Sequence, residues 1–118
     1  MAYIYRADVW CDTCGEKIIA KLTKAGKAPS DPQNESSYDS DKFPKYYDAK
    51  SEKSDGPENC ADGSCGGSYE YKGRKLTYGT FLRNQLTPDG YDYLRELLSQ
   101  GKPTLPAQEW AEFYKGKL

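Results

Sequence analysis

The chain is expected to fold as a small α+β domain, and three observations carry that expectation. An N-terminal stretch rich in tyrosine and β-branched residues reads as strand. A pair of similar stretches around Gly73 reads as a hairpin, and the last third holds two helical segments with recognisable start signals. The 118 residues suit one domain spanning positions 1–118 with a modest core. Composition makes that core lean: 36% of residues are hydrophobic and 30% charged, mean hydropathy is −0.94, and the apolar bulk sits in 11 tyrosines, 3 phenylalanines and 2 tryptophans. Small domains of this kind commonly need a metal or a disulfide as a staple.

Taken in order, Tyr3 to Trp10 is expected to form a strand, because aromatic and β-branched residues alternate there with charged ones. Glu16 to Ala25 places Ile18, Ile19, Leu22 and Ala25 near helical spacing, with Gly26 as a stop, and predicts a short helix. From about 28 to 59 the apolar content collapses and a long loop is expected. Tyr38, Phe43, Tyr46 and Tyr47 are large rings for a solvated loop, so part of it should be tied down. Tyr69–Lys72 and Lys75–Tyr78 flank Gly73-Arg74 as the arms of a hairpin. Thr87-Pro88-Asp89 supplies an N-cap, a proline at the first helical position and an acid in the first turn. The helix they start carries Tyr91, Leu94, Leu97 and Leu98 on one face and ends at Gly101. A second is expected from Pro106, with Ala107, Trp110, Ala111, Phe113 and Tyr114 facing inward and Gly116 at its end.

All four cysteines fall in two turns, Cys11-Asp12-Thr13-Cys14-Gly15 and Cys60-Ala61-Asp62-Gly63-Ser64-Cys65-Gly66. Cys-x2-Cys lets two sulfurs point to a common centre, and spacings of two to four are usual for structural zinc. With no histidine in the chain, Cys11, Cys14, Cys60 and Cys65 form a complete tetrahedral set for one Zn2+. Four thiolates leave no position for water, so such a metal would be structural. The expected architecture is therefore a short antiparallel sheet with zinc-knuckle turns and two C-terminal helices packed on the sheet. The rival is redox chemistry: Trp10-Cys11-Asp12-Thr13-Cys14 between strand and helix resembles the active-site segment of thioredoxin-like oxidoreductases, with Pro103-Thr104-Leu105 as a faint echo of their proline-bearing strand. That reading gives Cys60 and Cys65 no role. A structural disulfide or free thiols are further alternatives.

Other chemistry lacks its residues. There is no histidine for a triad, no glycine-rich phosphate loop and no dinucleotide fingerprint. Residues 1–30 carry five Lys/Arg against three Asp/Glu, residues 31–62 four against nine, and residues 63–118 eight against six. No segment holds the dense basic stripe of a sequence-independent phosphate binder. The N-terminus lacks a basic region followed by an apolar run, and there is no span of about 20 apolar residues, so a reducing cytosol is the expected compartment and no membrane partner is expected.

Three blocks, Tyr5 to Glu16, Glu35 to Asp41 and Thr80 to Tyr91, resemble a group of small uncharacterised paired-cysteine proteins from bacteriophage and environmental bacterial sequences. In that group the second cysteine pair varies in spacing, and the wide Cys60/Cys65 turn departs mildly from it. The resemblance implies a phage origin and a paired-cysteine fold, and brings no catalytic residues. The leading expectation is a zinc-stabilised, non-enzymatic protein-binding module of the bacterial host cytosol. It would act on a host protein or complex, for example as an inhibitor of a defence system such as a CRISPR effector. Its partner-binding residues would be Tyr38, Asp39, Asp41, Phe43, Tyr46, Tyr47 and Asp48, an acidic, tyrosine-rich surface suited to a basic partner. The alternatives are a zinc-ribbon nucleic-acid binder using Lys72, Arg74, Lys75 and Arg83, and the dithiol oxidoreductase.

Overall fold

A computed structural model of the chain describes residues 2–101 and 104–118. The fold is α+β, with small sheets and, among the described residues, three α-helices. At the N-terminus, β1 (Ala2–Tyr5) and β2 (Asp8–Cys11) pair antiparallel, Tyr5 opposite Asp8 and Ala2 opposite Cys11. The single strand expected over Tyr3 to Trp10 is thus a hairpin. Its two-residue turn, Arg6-Ala7, has φ of 52° and 64°, the left-handed pair of a type I′ turn. Neither residue is the usual Asn or Gly, so alternation runs through the turn unmarked. The Trp10 indole N–H closes the hairpin by donating to the Tyr5 carbonyl at 3.2 Å.

Helix α1 (Asp12–Lys24) begins at once after β2, four residues earlier than the expected Glu16. Cys11 caps it, accepting from the Cys14 N–H at 3.5 Å, so the first cysteine pair forms a helix N-terminus and not a free knuckle turn. Cysteine in this role leaves no Ser, Thr or Asp signal to mark the boundary. The helix lies on the hairpin, and Gly15 makes that approach: a Cβ there would stand 2.2 Å from Cδ2 of Tyr3.

The stretch from 28 to 59 is more structured than a loop. A 3-10 turn at Glu35–Ser37 precedes β3 (Lys45–Tyr47), which adds to the free edge of β1 with Ala2 opposite Tyr47, giving the sheet order β2-β1-β3. Further on, β4 (Lys53–Ser54) pairs parallel with β7 (Gln85–Leu86). Backbone pairing across so many intervening residues leaves no local signature, and strands of two or three residues show no alternation.

The hairpin of β5 (Gly67–Tyr71) and β6 (Arg74–Tyr78) turns on Lys72-Gly73, one residue before the expected Gly73-Arg74. Again both turn residues have positive φ, 52° and 76°. Helix α2 (Pro88–Ser99) starts as expected, with the Thr87 hydroxyl accepting from the Gly90 N–H at 3.1 Å. Helix α3 (Leu105–Tyr114) is capped by Thr104 and buries Ala107 and Tyr114, but its Phe113 is half exposed. The expected packing of these helices on the sheet needs correction. It is α1 that covers β1 and β2, while α2 packs against α3 and β7.

Two clusters result. One gathers Ala2, Cys11, Cys14, Ala49, Cys60 and Leu82 with Val9, Trp10 and Tyr47 against it; the other gathers Phe81, Leu86, Leu94 and Tyr114 with Tyr91, Leu97, Leu98 and Trp110. Asn84, fully buried, ties the chain between them. Its Oδ1 accepts from the Glu58 N–H at 2.8 Å, its amide donates to the Gly56 and Gln85 carbonyls, and its own carbonyl accepts from the Tyr114 hydroxyl.

Candidate metal centre

Half of the buried residues of the first cluster are cysteines, so its cohesion depends on what those thiols do. Cys11 and Cys14 stand at the end of β2 and in the first turn of α1, where the capping bond turns the Cys11 sulfur back toward Cys14. Cys60 and Cys65 arrive on a loop stitched to two other segments. The Cys60 and Gly66 N–H groups donate to the Thr80 and Tyr78 carbonyls, and the Ala61 N–H to the Val9 carbonyl, all at 2.8 Å. The loop lies directly on Gly79, where a Cβ would come within 2.1 Å of the Cys60 carbonyl oxygen.

These contacts bring the four sulfurs within 4.8 Å of one another, and no disulfide joins them. In a tetrahedral four-thiolate zinc site, with bonds of about 2.3 Å, sulfurs stand about 3.8 Å apart, so closure on an ion asks for about 1 Å of contraction at most. Backbone amides already point at the sulfurs: Cys11 N–H to Cys60 Sγ at 3.2 Å, Cys14 N–H to Cys11 Sγ at 3.5 Å and Thr80 N–H to Cys65 Sγ at 3.3 Å. Such donors stabilise thiolate over thiol. Cys11, Cys14 and Cys60 are buried and Cys65 is exposed.

Protonation follows that geometry. Burial first, and then the neighbouring thiols, push the Cys14 thiol well above its ordinary range. Burial likewise pushes Cys60 up to about 11, against the amide bonds from Cys11 and Asp62 that act downward. At Cys65 burial also acts upward, but the hydroxyl and amide of Thr80 together with the Cys60 and Cys14 thiols outweigh it and hold this thiol low. Clustered thiols cannot all ionise alone, whereas a divalent cation among them removes the mutual repulsion and takes the place of the protons. The site can therefore hold a metal with four sulfur ligands and no vacant position. It is the one such cluster among the described residues.

Thr80 and Asp62 belong to this site and escaped the sequence reading. Thr80 bonds Cys65 twice, and Asp62 lies 3.8 Å from Cys14 Sγ while capping its own loop through Ser64 at 2.7 and 3.0 Å. Asp-x-Ser inside the Cys-x4-Cys turn is the one signal that would have found Asp62. Nothing local marks Thr80.

A dithiol enzyme needs an accessible attacking sulfur in its Cys-x-x-Cys pair, and here both members are buried with two further thiols against them. Pro103, from the expected proline-bearing strand, lies outside the described residues; Thr104 and Leu105 begin α3.

The acidic, tyrosine-rich residues divide between interior and surface. Phe43 is buried with the Tyr38 ring packed edge-on at 5.7 Å, and Tyr47 is half-buried, its hydroxyl donating to Glu58 at 3.2 Å. Tyr46, Asp39, Asp41 and Asp48 are exposed, and Asp39 and Asp48 also cap turns by accepting from the Asp41 and Lys50 N–H groups. Lys72, Arg74 and Lys75 sit at the β5–β6 turn, whereas Arg83 lines a cavity with Lys50 and Lys117. Among the described residues no helix is long and apolar enough to cross a membrane. Comparisons with protein-family models, with curated proteins and with solved structures return no match.

Proposed function

We propose that Cys11, Cys14, Cys60 and Cys65 hold one structural Zn2+, and that the chain is a metal-clamped binding module and not an enzyme. The convergence of four sulfurs within 4.8 Å, from chain segments some fifty residues apart, carries this reading. All-sulfur tetrahedral sites belong to zinc or iron–sulfur chemistry, and the Cys-x2-Cys and Cys-x4-Cys spacings are those of structural zinc. Native mass spectrometry should find one zinc per chain, lost in Cys60→Ser. A metal-free, fully folded native protein would sink the reading.

In the same proposal the partner is a host protein or complex with a basic face, met by Asp39, Asp41, Asp48 and Tyr46. A phage-encoded inhibitor of a defence complex is its concrete form. Support comes from the exposure of these four side chains on a framework tied to the sheet by β3. Asn at all three acidic positions preserves the turn-capping oxygens while removing charge, so partner capture from bacterial lysate should drop at low salt with the fold intact. Undiminished capture would remove this surface from consideration.

A further inference from the structure

Of the basic side chains that line cavities of this acidic protein, Lys50, Lys53, Arg83, Arg95 and Lys117 are gathered in one region, while Lys72 lines a separate cavity and Arg83 also borders one that holds Glu109. A cavity of about 650 Å3 between β7, α2 and the end of α3 is lined by Lys50, Arg83 and Lys117 and by the rings of Tyr91, Phe113 and Tyr114, with no carboxylate side chain among its walls. A second cavity, about 360 Å3, continues it through Gln85, Tyr91 and Lys117 and adds Lys53 and Arg95. Its one acid, Asp92, is already held by Arg95 at 2.9 Å. Among the described residues, Lys50, Lys53, Arg83 and Lys117 make no ion pair. Four cations without an ion pair, together with the Arg95–Asp92 pair, therefore line one groove in a chain of net charge −1.

The floor is as specific as the walls. Phe113 is 47% exposed although its ring is steadied edge-on by Phe81 at 5.5 Å and Tyr114 at 4.9 Å. An aromatic ring that is held in place yet left open offers a platform for stacking. Arg83 sits at φ 55°, a conformation a non-glycine residue adopts at a cost, and its neighbour Asn84 is locked by five hydrogen bonds. The cation is thus carried on a fixed backbone at the groove's edge.

We propose that this groove binds single-stranded nucleic acid, with phosphates on Lys50, Arg83 and Lys117 and a base against Phe113 and Tyr91. Cations beside open rings match a ligand that alternates phosphate with aromatic base, and volumes of this size fit one or a few nucleotides. A duplex keeps its base faces stacked on one another and so withholds them from an open ring on the protein, and the unpaired strand is the form that fits. This site goes beyond the protein-partner reading and does not depend on it.

The test is fluorescence anisotropy of a labelled oligothymidylate of about 12 nucleotides against the zinc-loaded protein, with metal content measured on each sample. Binding at low salt is expected, with log K falling with log salt at a slope of about −2 for three phosphate contacts. Lys50→Glu with Lys117→Glu should weaken it at least tenfold. Arg83→Gly removes the guanidinium while easing the backbone, so it should lose affinity without losing stability. Phe113→Ala should weaken the oligonucleotide and leave inorganic polyphosphate unaffected. No complex at low salt from a zinc-replete sample, or affinity unchanged in the charge variants, overturns the proposal and leaves the metal reading standing. Equal binding of polyphosphate with Phe113→Ala neutral also overturns it, as bare charge attraction.

Discussion

Gly15 shows how a residue can contradict its own propensity for a structural gain. In a helix interior alanine is favoured over glycine by about 1 kcal/mol, so Gly15→Ala judged on α1 alone would stabilise. The added methyl would meet Tyr3 at Cδ2, Cγ and Cβ, 2.2, 2.8 and 3.0 Å away, and contacts reaching down to Cβ prevent the ring from swinging aside. Overpacking of this kind costs about 1–3 kcal/mol, and after the helix gain of about 1 kcal/mol Gly15→Ala should lower stability by up to about 2 kcal/mol in urea unfolding. In a Tyr3→Ala background, which removes the 2.2 and 2.8 Å contacts and keeps the one at Cβ, the loss should shrink. A loss of equal size in both backgrounds would mean the helix–strand contact is not the cause. The glycine after Cys14 was legible as a residue tied to the cysteine turn, but its reason is helix-on-sheet approach and not loop formation.

Among the elements, the N-terminal hairpin is held by a turn with poor local chemistry. Arg6 and Ala7 both occupy left-handed backbone, where a Cβ crowds the following carbonyl, and nothing in the Tyr3–Trp10 alternation announces the reversal. Ala7→Gly should therefore raise stability by about 0.5–1 kcal/mol, read as a higher urea midpoint at unchanged slope. The well-marked elements are those whose ends carry their own signals. Thr87-Pro88 starts α2 where expected because cap and proline act within one turn. By contrast β3, β4 and β7 are two or three residues long and exist through pairing with distant partners, so no window of sequence contains their cause.

For the whole molecule, the radius of gyration of 16.3 Å exceeds the roughly 13.5 Å of a compact chain of this length, and the extents of 50 × 33 × 18 Å describe a flat, elongated body. With the proposed metal bound at the four cysteines, the two clusters should respond differently to chelation. Chelation should expose the amides of Cys60, Ala61 and Gly66 to hydrogen exchange while those of α2 stay protected, because Leu94 and its neighbours close without a cysteine. Uniform loss of protection would show one cooperative unit instead. Alkali acts on both clusters. Burial, then Glu58, pushes Tyr47 up to about 12, and burial, then Tyr91 and Glu58, raises Tyr114 further. A tyrosine whose folded pKa lies above its unfolded value of about 10 contributes fully below pH 10 and loses that contribution as pH rises through the folded value. Stability should accordingly fall from pH 10 to 12, with tyrosinate absorbance appearing in step with unfolding.

What the sequence determined by itself was local: the two cysteine pairs and their zinc-like spacing, the capped start of α2, the later hairpin to within one residue, and a lean apolar composition. Tertiary structure alone decided what meets what. The mid-chain segment, acidic when counted along the sequence, delivers Lys50 and Lys53 to the same groove as Arg83, Arg95 and Lys117. Thr80 reaches Cys65 across fifteen residues in the same way. Electrostatics and hydrogen bonding depend on distance in space, and that distance is set by backbone pairing between remote segments, which leaves no trace in the order of residues.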